Sequence, residues 1–279
     1  MTTTAAEALP DAFFLDAEKG QRFCLFHRAQ GHQIKGRILY LHPFAEEMNA
    51  SRRVVAQQCR TLAASGYSVL QIDLLGCGDS SGDFGDATWS AWVQDALLGW
   101  QWLRDHAPEA PIWLWGLRAG ALLACAATRA LQAQHPAAQV NLLLWQPMAS
   151  GQQQLQQFLR LHAAAQWLGR DTMGEPPAQR LSSGQHAHVA GYSLSPTLAS
   201  GLEDTQLDLP SGQGRIGVVE ASASNPPTLS PWIERRKTVW QSAGWQVGTQ
   251  AVHAPAFWQN VVESSLPEAL HLATQKALA

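Results

Sequence analysis

Pro111-Ile112-Trp113-Leu114-Trp115-Gly116-Leu117-Arg118-Ala119-Gly120 is the stretch whose reading decides the fold. Ile112 to Trp115 is an apolar and aromatic run behind a proline, the pattern of a buried strand, and Gly120 to Gln134 is rich in alanine and leucine at helical spacing. Gly116 and Gly120 bracket the turn between them. That is the setting of a nucleophile elbow, where Gly-x-Ser-x-Gly forces a sharp strand-to-helix turn and lifts a serine above the sheet edge. The middle residue here is Arg118. A guanidinium has no acceptor lone pair and no accessible neutral form, so it cannot attack a carbonyl.

Outward from the elbow the same alternation continues. Strands are expected at Phe23–Phe26, Gly36–Leu41, Ser68–Ile72, Ile112–Trp115, Val140–Trp145, Arg215–Val219 and Trp245–Gly248. Helical patterns fall between them, at Ser51–Ser65, Thr88–His106, Gly120–Gln134 and Pro231–Gly244. Several strands are too apolar to have a wet face, which implies a mostly parallel sheet with helices on both faces. The fold class is therefore α/β, and the elbow makes it an α/β-hydrolase fold. Residues 151–214 break the rhythm with a Gln-rich helical segment to Trp167, then loosely arrayed Gly, Pro, Ser and His. They read as a cap-like insertion over the carboxyl edge of the sheet, with residues 1–150 and 215–279 forming the two parts of the core. Leu155, Phe158, Leu159 and Leu168 keep an apolar face on the Gln-rich segment.

The chain has 279 residues, 46% of them hydrophobic, enough for one large core. A net charge of −3 without a dense basic run argues against nucleic acid as a partner. Cys24, Cys59, Cys77 and Cys125 lie far apart, with no metal-ligand spacing and no disulfide framework. Neither a metal nor a cofactor is expected. No apolar run is long enough for a membrane span, and the start of the chain lacks a basic and apolar leader, so a cytoplasmic protein is expected.

Ligands of such sheets bind beyond the carboxyl ends of the strands. The segment after the strand ending at Leu41 brings Glu46, Glu47 and Asn49, then Arg52 and Arg53. In a working hydrolase this segment supplies an oxyanion-hole N–H; carboxylates there would repel an oxyanion. Asp73 to Gly82 forms a glycine-spaced turn. Arg118 at a helix N-terminus faces a macrodipole that disfavours a cation by roughly 0.3–1 kcal/mol. A carboxylate partner is therefore expected, from Glu46, Glu47 or Glu220, or else a bound anion. By chain order, Glu220 is the candidate catalytic acid, or equally a strand-end carboxylate paired with an arginine, and His253 the candidate histidine. His186 and His188 lack a metal-ligating partner at supportive spacing and read as loop residues. Of the twelve tryptophans most describe core, while Trp167, Trp232 and Trp258 fall near the insertion and the last loop.

Taken together, Pro43 to Asn49 with Ser51-Arg52-Arg53, Asp73 to Gly82, Gly116 to Gly120, Gly191-Tyr192-Ser193-Leu194-Ser195 and Phe257-Trp258-Gln259 resemble the exosortase A system-associated hydrolases of type 2, a branch of the α/β-hydrolase superfamily. The resemblance spans nearly the whole chain. It implies a bacterial protein encoded with exopolysaccharide synthesis and the exosortase sorting system, and an arginine at the elbow as a family trait. Two functions follow as expectations. One is an ester or thioester hydrolase that activates water with a carboxylate or His253 rather than a covalent serine. The other is a non-catalytic module in which Arg118, with Glu46, Glu47, Asn49, Arg52 and Arg53 around it, binds an anionic small molecule or carrier.

Overall fold

A computed structural model describes residues 9–31, 33–106, 109–167, 175–259 and 266–279, with the side chains of 164–167 left aside. Leu168 and the Trp167 side chain therefore lie outside the described residues. Along the chain run β1 (Asp11–Asp16), β2 (Gln21–His27), β3 (Gly36–Leu41), α1 (Glu46–Ala64), β4 (Tyr67–Ile72), α2 (Trp89–His106), β5 (Ile112–Leu117), α3 (Ala119–Gln134) and β6 (Val140–Trp145). Then follow α4 (Gly151–Trp167), α5 (Pro177–Ser182), β7 (Ala187–Val189), β8 (Tyr192–Leu194), α6 (Pro196–Glu203), β9 (Arg215–Ser222), α7 (Pro231–Ser242), β10 (Gln246–His253) and α8 (Glu268–Leu278).

Eight strands form one sheet in the order β1-β2-β4-β3-β5-β6-β9-β10. The six from β4 to β10 are parallel; β1 and β2 join antiparallel at one edge. Every residue of β3, β5 and β6 is buried, as a central parallel strand covered on both faces requires. Alternate side chains of β5 divide between two layers. Ile112 and Leu114 pack with Leu97, Trp100 and Leu122 of α2 and α3. Trp113, Trp115 and Leu117 pack with Val55, Leu62 and Leu270 of α1 and α8. Trp115 stacks edge-on against Trp145 at 4.6 Å, and both are fully enclosed. Truncating either indole to alanine would cost about 3–5 kcal/mol.

The described residues of 151–214 hold α4, α5, α6 and the antiparallel β7–β8 hairpin, and contribute no strand to the main sheet. Tyr192 ties this hairpin to the core through ring contacts with Phe84 and Phe158. No helix among the described residues is long and apolar enough to cross a membrane.

Several elements depart from the sequence reading: α5, α6 and the β7–β8 hairpin order a stretch read as loosely arrayed, and β10 runs to His253, past the Gly248 expected as its end. The antiparallel strand β1 and the helix α8 were not expected, and α1 begins at Glu46 rather than Ser51. Glu46 and Glu47 are thus the first turn of a helix and not a loop, a position where the macrodipole favours carboxylates.

Candidate active site

The elbow is formed as the glycine spacing implies, for a steric reason. A Cβ on Gly116 would meet the Gly120 carbonyl oxygen at 2.3 Å, and one on Gly120 would meet the Leu41 carbonyl oxygen at 2.1 Å. Only glycine lets the end of β5 and the start of α3 pass so close to each other and to β3. The residue between them takes up the reversal: Arg118 has φ 56° and ψ −117°. Its N–H donates to the Trp145 carbonyl at 3.0 Å, which locks the turn against β6.

Arg118 is buried, and its side chain is held on three sides. Nε and Nη2 both donate to Glu47 Oε1, at 3.0 and 2.9 Å. Nη2 also donates to Gln157 Oε1 at 2.7 Å. Gln154 Nε2 donates to the other Glu47 oxygen at 3.4 Å. The guanidinium carbon lies 5.5 Å from the centroid of the Trp258 ring, within cation–π range. Nη1 has no acceptor among the described residues. The anticipated carboxylate partner is therefore Glu47, supplied by the first turn of α1, and the pair satisfies both the buried cation and the buried anion.

Glu47 and Glu46 sit differently. Burial pushes the Glu47 carboxyl above the usual range, while the Arg118 guanidinium and the Gln154 amide pull it back down. Glu46 is half-buried with Oε2 enclosed and unpartnered, and burial, reinforced by the Glu47 charge, lifts it to about 7. Asn49 is exposed and donates to the Tyr192 hydroxyl at 3.3 Å, joining α1 to the β7–β8 hairpin. Arg52 is half exposed, its Nη2 3.8 Å from Asp73 Oδ2; Arg53 lies on the exposed face of α1.

The other two expected site residues are not brought together. Both Glu220 oxygens are taken by Ser230, whose N–H donates to Oε2 at 2.8 Å and whose hydroxyl donates to Oε1 at 2.8 Å. Glu220 is thus a buried carboxylate at the N-terminus of α7, paired with neither an arginine nor an imidazole among the described residues. His253 ends β10 with an exposed side chain and no hydrogen-bond partner among the described residues. The physical reason is the local path: Ala254 and Phe257 turn inward to the core, and Trp258 rather than an imidazole arrives beside the elbow. His42 cannot substitute. It is buried, its Nδ1 faces the Pro43 carbonyl at 2.8 Å, and its Nε2 accepts from the Leu74 N–H at 3.4 Å. Burial holds its pKa low.

Cys77 is no replacement nucleophile, because burial and the nearby Asp73 and Asp95 drive its thiol far up. Among the described residues no group of three or more His, Cys, Asp and Glu side chains is arranged to hold a metal ion. The sequence reading did not foresee Gln154 and Gln157. Their spacing of three places both on one face of α4, which is the signal that could have found them.

Residues 32–189 match the family described as serine aminopeptidase, S33. The chain is 32% identical over 116 residues to human Protein ABHD12B (Homo sapiens), covering 41% of this chain and 30% of that protein. It thus aligns with under a third of that relative's length. Among solved structures it is similar to Est1E from Butyrivibrio proteoclasticus with ferulic acid bound, at TM-score 0.64 and 14% identity, over 96% of each chain. It is also similar to a soluble variant of monoglyceride lipase from Saccharomyces cerevisiae, at TM-score 0.63 and 12% identity, over 99% of this chain and 96% of that one. At those identities the likeness is one of fold, and the fold is that of the α/β-hydrolases.

Proposed function

Because the chain belongs to the serine aminopeptidase S33 family yet seats an arginine where a hydrolase of this fold seats its serine, we propose that it is a non-catalytic member. On this reading the former active site binds the anionic group of a small molecule or carrier. One observation carries the proposal: Arg118 occupies the strained elbow conformation itself, with its guanidinium fixed by Glu47 and Gln157. A nucleophile there is replaced by a permanent charge, and Nη1 is the donor left over for a ligand carboxylate or phosphate. Asn49, Arg52 and Arg53 lie further along α1, and Glu46 borders the same turn. Residues 151–214 then act as a cap whose α4 reaches the site through Gln154 and Gln157. The motif resemblance supports a setting in the exosortase and exopolysaccharide system, and the four buried free cysteines suit the cytoplasm.

The competing reading is residual ester or thioester hydrolysis by an activated water. Glu46 favours it, since a carboxyl near 7 can serve as a general base. The two readings separate by experiment. A fluorophosphonate probe and chromogenic acyl esters should give neither labelling nor turnover, while calorimetry with butyrate and inorganic phosphate should show binding that Arg118→Gln abolishes. Labelling of any serine, ester turnover lost in Glu46→Gln, or absence of anion binding would each overturn the proposal.

A further inference from the structure

A guanidinium presents its N–H groups in a fixed planar fork, and the contacts around Arg118 leave one end of that fork half open. Nε and one hydrogen of Nη2 point to the same side, and both go to Glu47 Oε1, at 3.0 and 2.9 Å. The second hydrogen of Nη2 therefore points forward, alongside Nη1, and is the one that reaches Gln157 Oε1 at 2.7 Å. Nη1 and this hydrogen form the end-on pair that can hold a carboxylate or phosphate through two parallel bonds. With Gln157 in place, a ligand finds only the Nη1 half.

Gln157 can give way while its helix stays. Its side chain is half-buried, whereas Leu155 and Phe158 beside it on α4 are 5% and 1% exposed. Phe158 packs edge-on against Phe44 at 5.1 Å, and Gln154 reaches Glu47 at 3.4 Å, so α4 keeps its seat through contacts that do not involve Gln157. The amide oxygen is a neutral acceptor that makes one bond to Arg118, where an ionised carboxylate would make two, each with both partners charged. We propose that Gln157 is a placeholder built into the cap: an incoming carboxylate or phosphate displaces its oxygen and takes Nη1 and Nη2 together. This rests on the reading of Arg118 as an anion site and adds a selectivity to it. A ligand with one neutral oxygen cannot displace Gln157, so the site favours groups that carry two anionic oxygens on one centre.

The test titrates butyrate, with butyramide as the neutral control, into the whole chain and into Gln157→Ala, read by calorimetry. Nitrogen-15 NMR follows the side-chain amide of Gln157 in the parent. Butyrate should bind Gln157→Ala about tenfold more tightly than the parent, because no internal oxygen has to be displaced. In the parent it should shift the Gln157 amide resonance, and butyramide should leave that resonance in place. Should Gln157→Ala fail to fold, Gln157→Ser shortens the same side chain, and the resonance reports displacement without any variant. Butyrate binding that removal of Gln157 leaves unchanged or weakens, or that leaves the Gln157 amide unmoved, would overturn the placeholder and spare the anion site. No butyrate binding by either protein would sink both.

Discussion

Ala45 and Arg118 share one backbone conformation, φ 51° and ψ −123° in the first, φ 56° and ψ −117° in the second. Each ends the turn out of a neighbouring parallel strand, β3 or β5, and each heads a helix. The paired reversals start α1 and α3 side by side, which is how Glu47, two residues past Ala45, comes to face Arg118. A non-glycine residue in that region carries strain of about 1–3 kcal/mol. Ala45→Gly should relieve part of it and raise stability by about 1 kcal/mol, offset by the greater freedom of glycine in the unfolded chain. Urea denaturation checks this; a loss of stability would mean that the Ala45 methyl contributes more in packing than the turn costs.

The Arg118–Glu47 pair should respond unequally to removal of its members. Glu47→Gln leaves an arginine that cannot shed its proton, buried without its counter-ion, and should destabilise the fold by about 3–5 kcal/mol. Arg118→Gln leaves a carboxyl that burial already pushes upward, and which escapes the penalty by taking up a proton. Its cost should be smaller, about 1–3 kcal/mol. Denaturation of both variants at neutral pH tests the order, and equal costs would show that the buried charge is not what the pair protects.

Much of this arrangement is legible in residue order, for identifiable reasons. β3 and β6 run between the residues read for them, because a strand buried on both faces is a mainly apolar run, here Ile38–Leu41 and Leu142–Trp145. The edge strand β1 escaped, since Asp11–Asp16 is half wet and owes its existence to pairing with β2. A partner for Arg118 followed from charge alone, and Glu47 is that partner. Gln154, Gln157 and Trp258 did not follow, because a neutral amide or an indole announces no partner until tertiary structure places one. Chain order nominated Glu220 and His253 together, yet Glu220 is held by Ser230, a contact that depends on how the loop returns into α7.

Glu46 should leave a signature in the pH dependence of stability. Its carboxyl is lifted from 4.5 to about 7 by burial, with Glu47 adding to the lift and Arg118 opposing it. Between those values the folded protein holds a proton that the unfolded chain has released. Its stabilising contribution is present in full below about 4.5 and is lost as pH rises through about 7. The difference in stability between the parent and Glu46→Gln should therefore shift against the parent across this window and level off above it. Chemical denaturation at closely spaced pH values measures the difference, and a flat profile would place the Glu46 carboxyl in solvent.

Arg118→Ser restores the hydroxyl at the elbow, yet should give no fluorophosphonate labelling. A serine nucleophile needs a base within hydrogen-bond reach and donors for the oxyanion. The imidazoles on offer fail the first requirement. His253 is exposed at the end of β10, and His42 is bound into backbone groups on both nitrogens. The Glu46 carboxyl, at the start of α1, opposes the second above about pH 7, where it carries its negative charge. Removing one obstacle at a time separates the causes. Arg118→Ser with Glu46→Gln relieves the repulsion and should still be unreactive for want of a base, whereas adding Trp258→His places an imidazole on the residue that now faces the elbow. Reactivity that appears only in the triple variant would show that the family's catalytic frame survives and that three side chains keep it silent; reactivity already in Arg118→Ser would mean that a base is within reach.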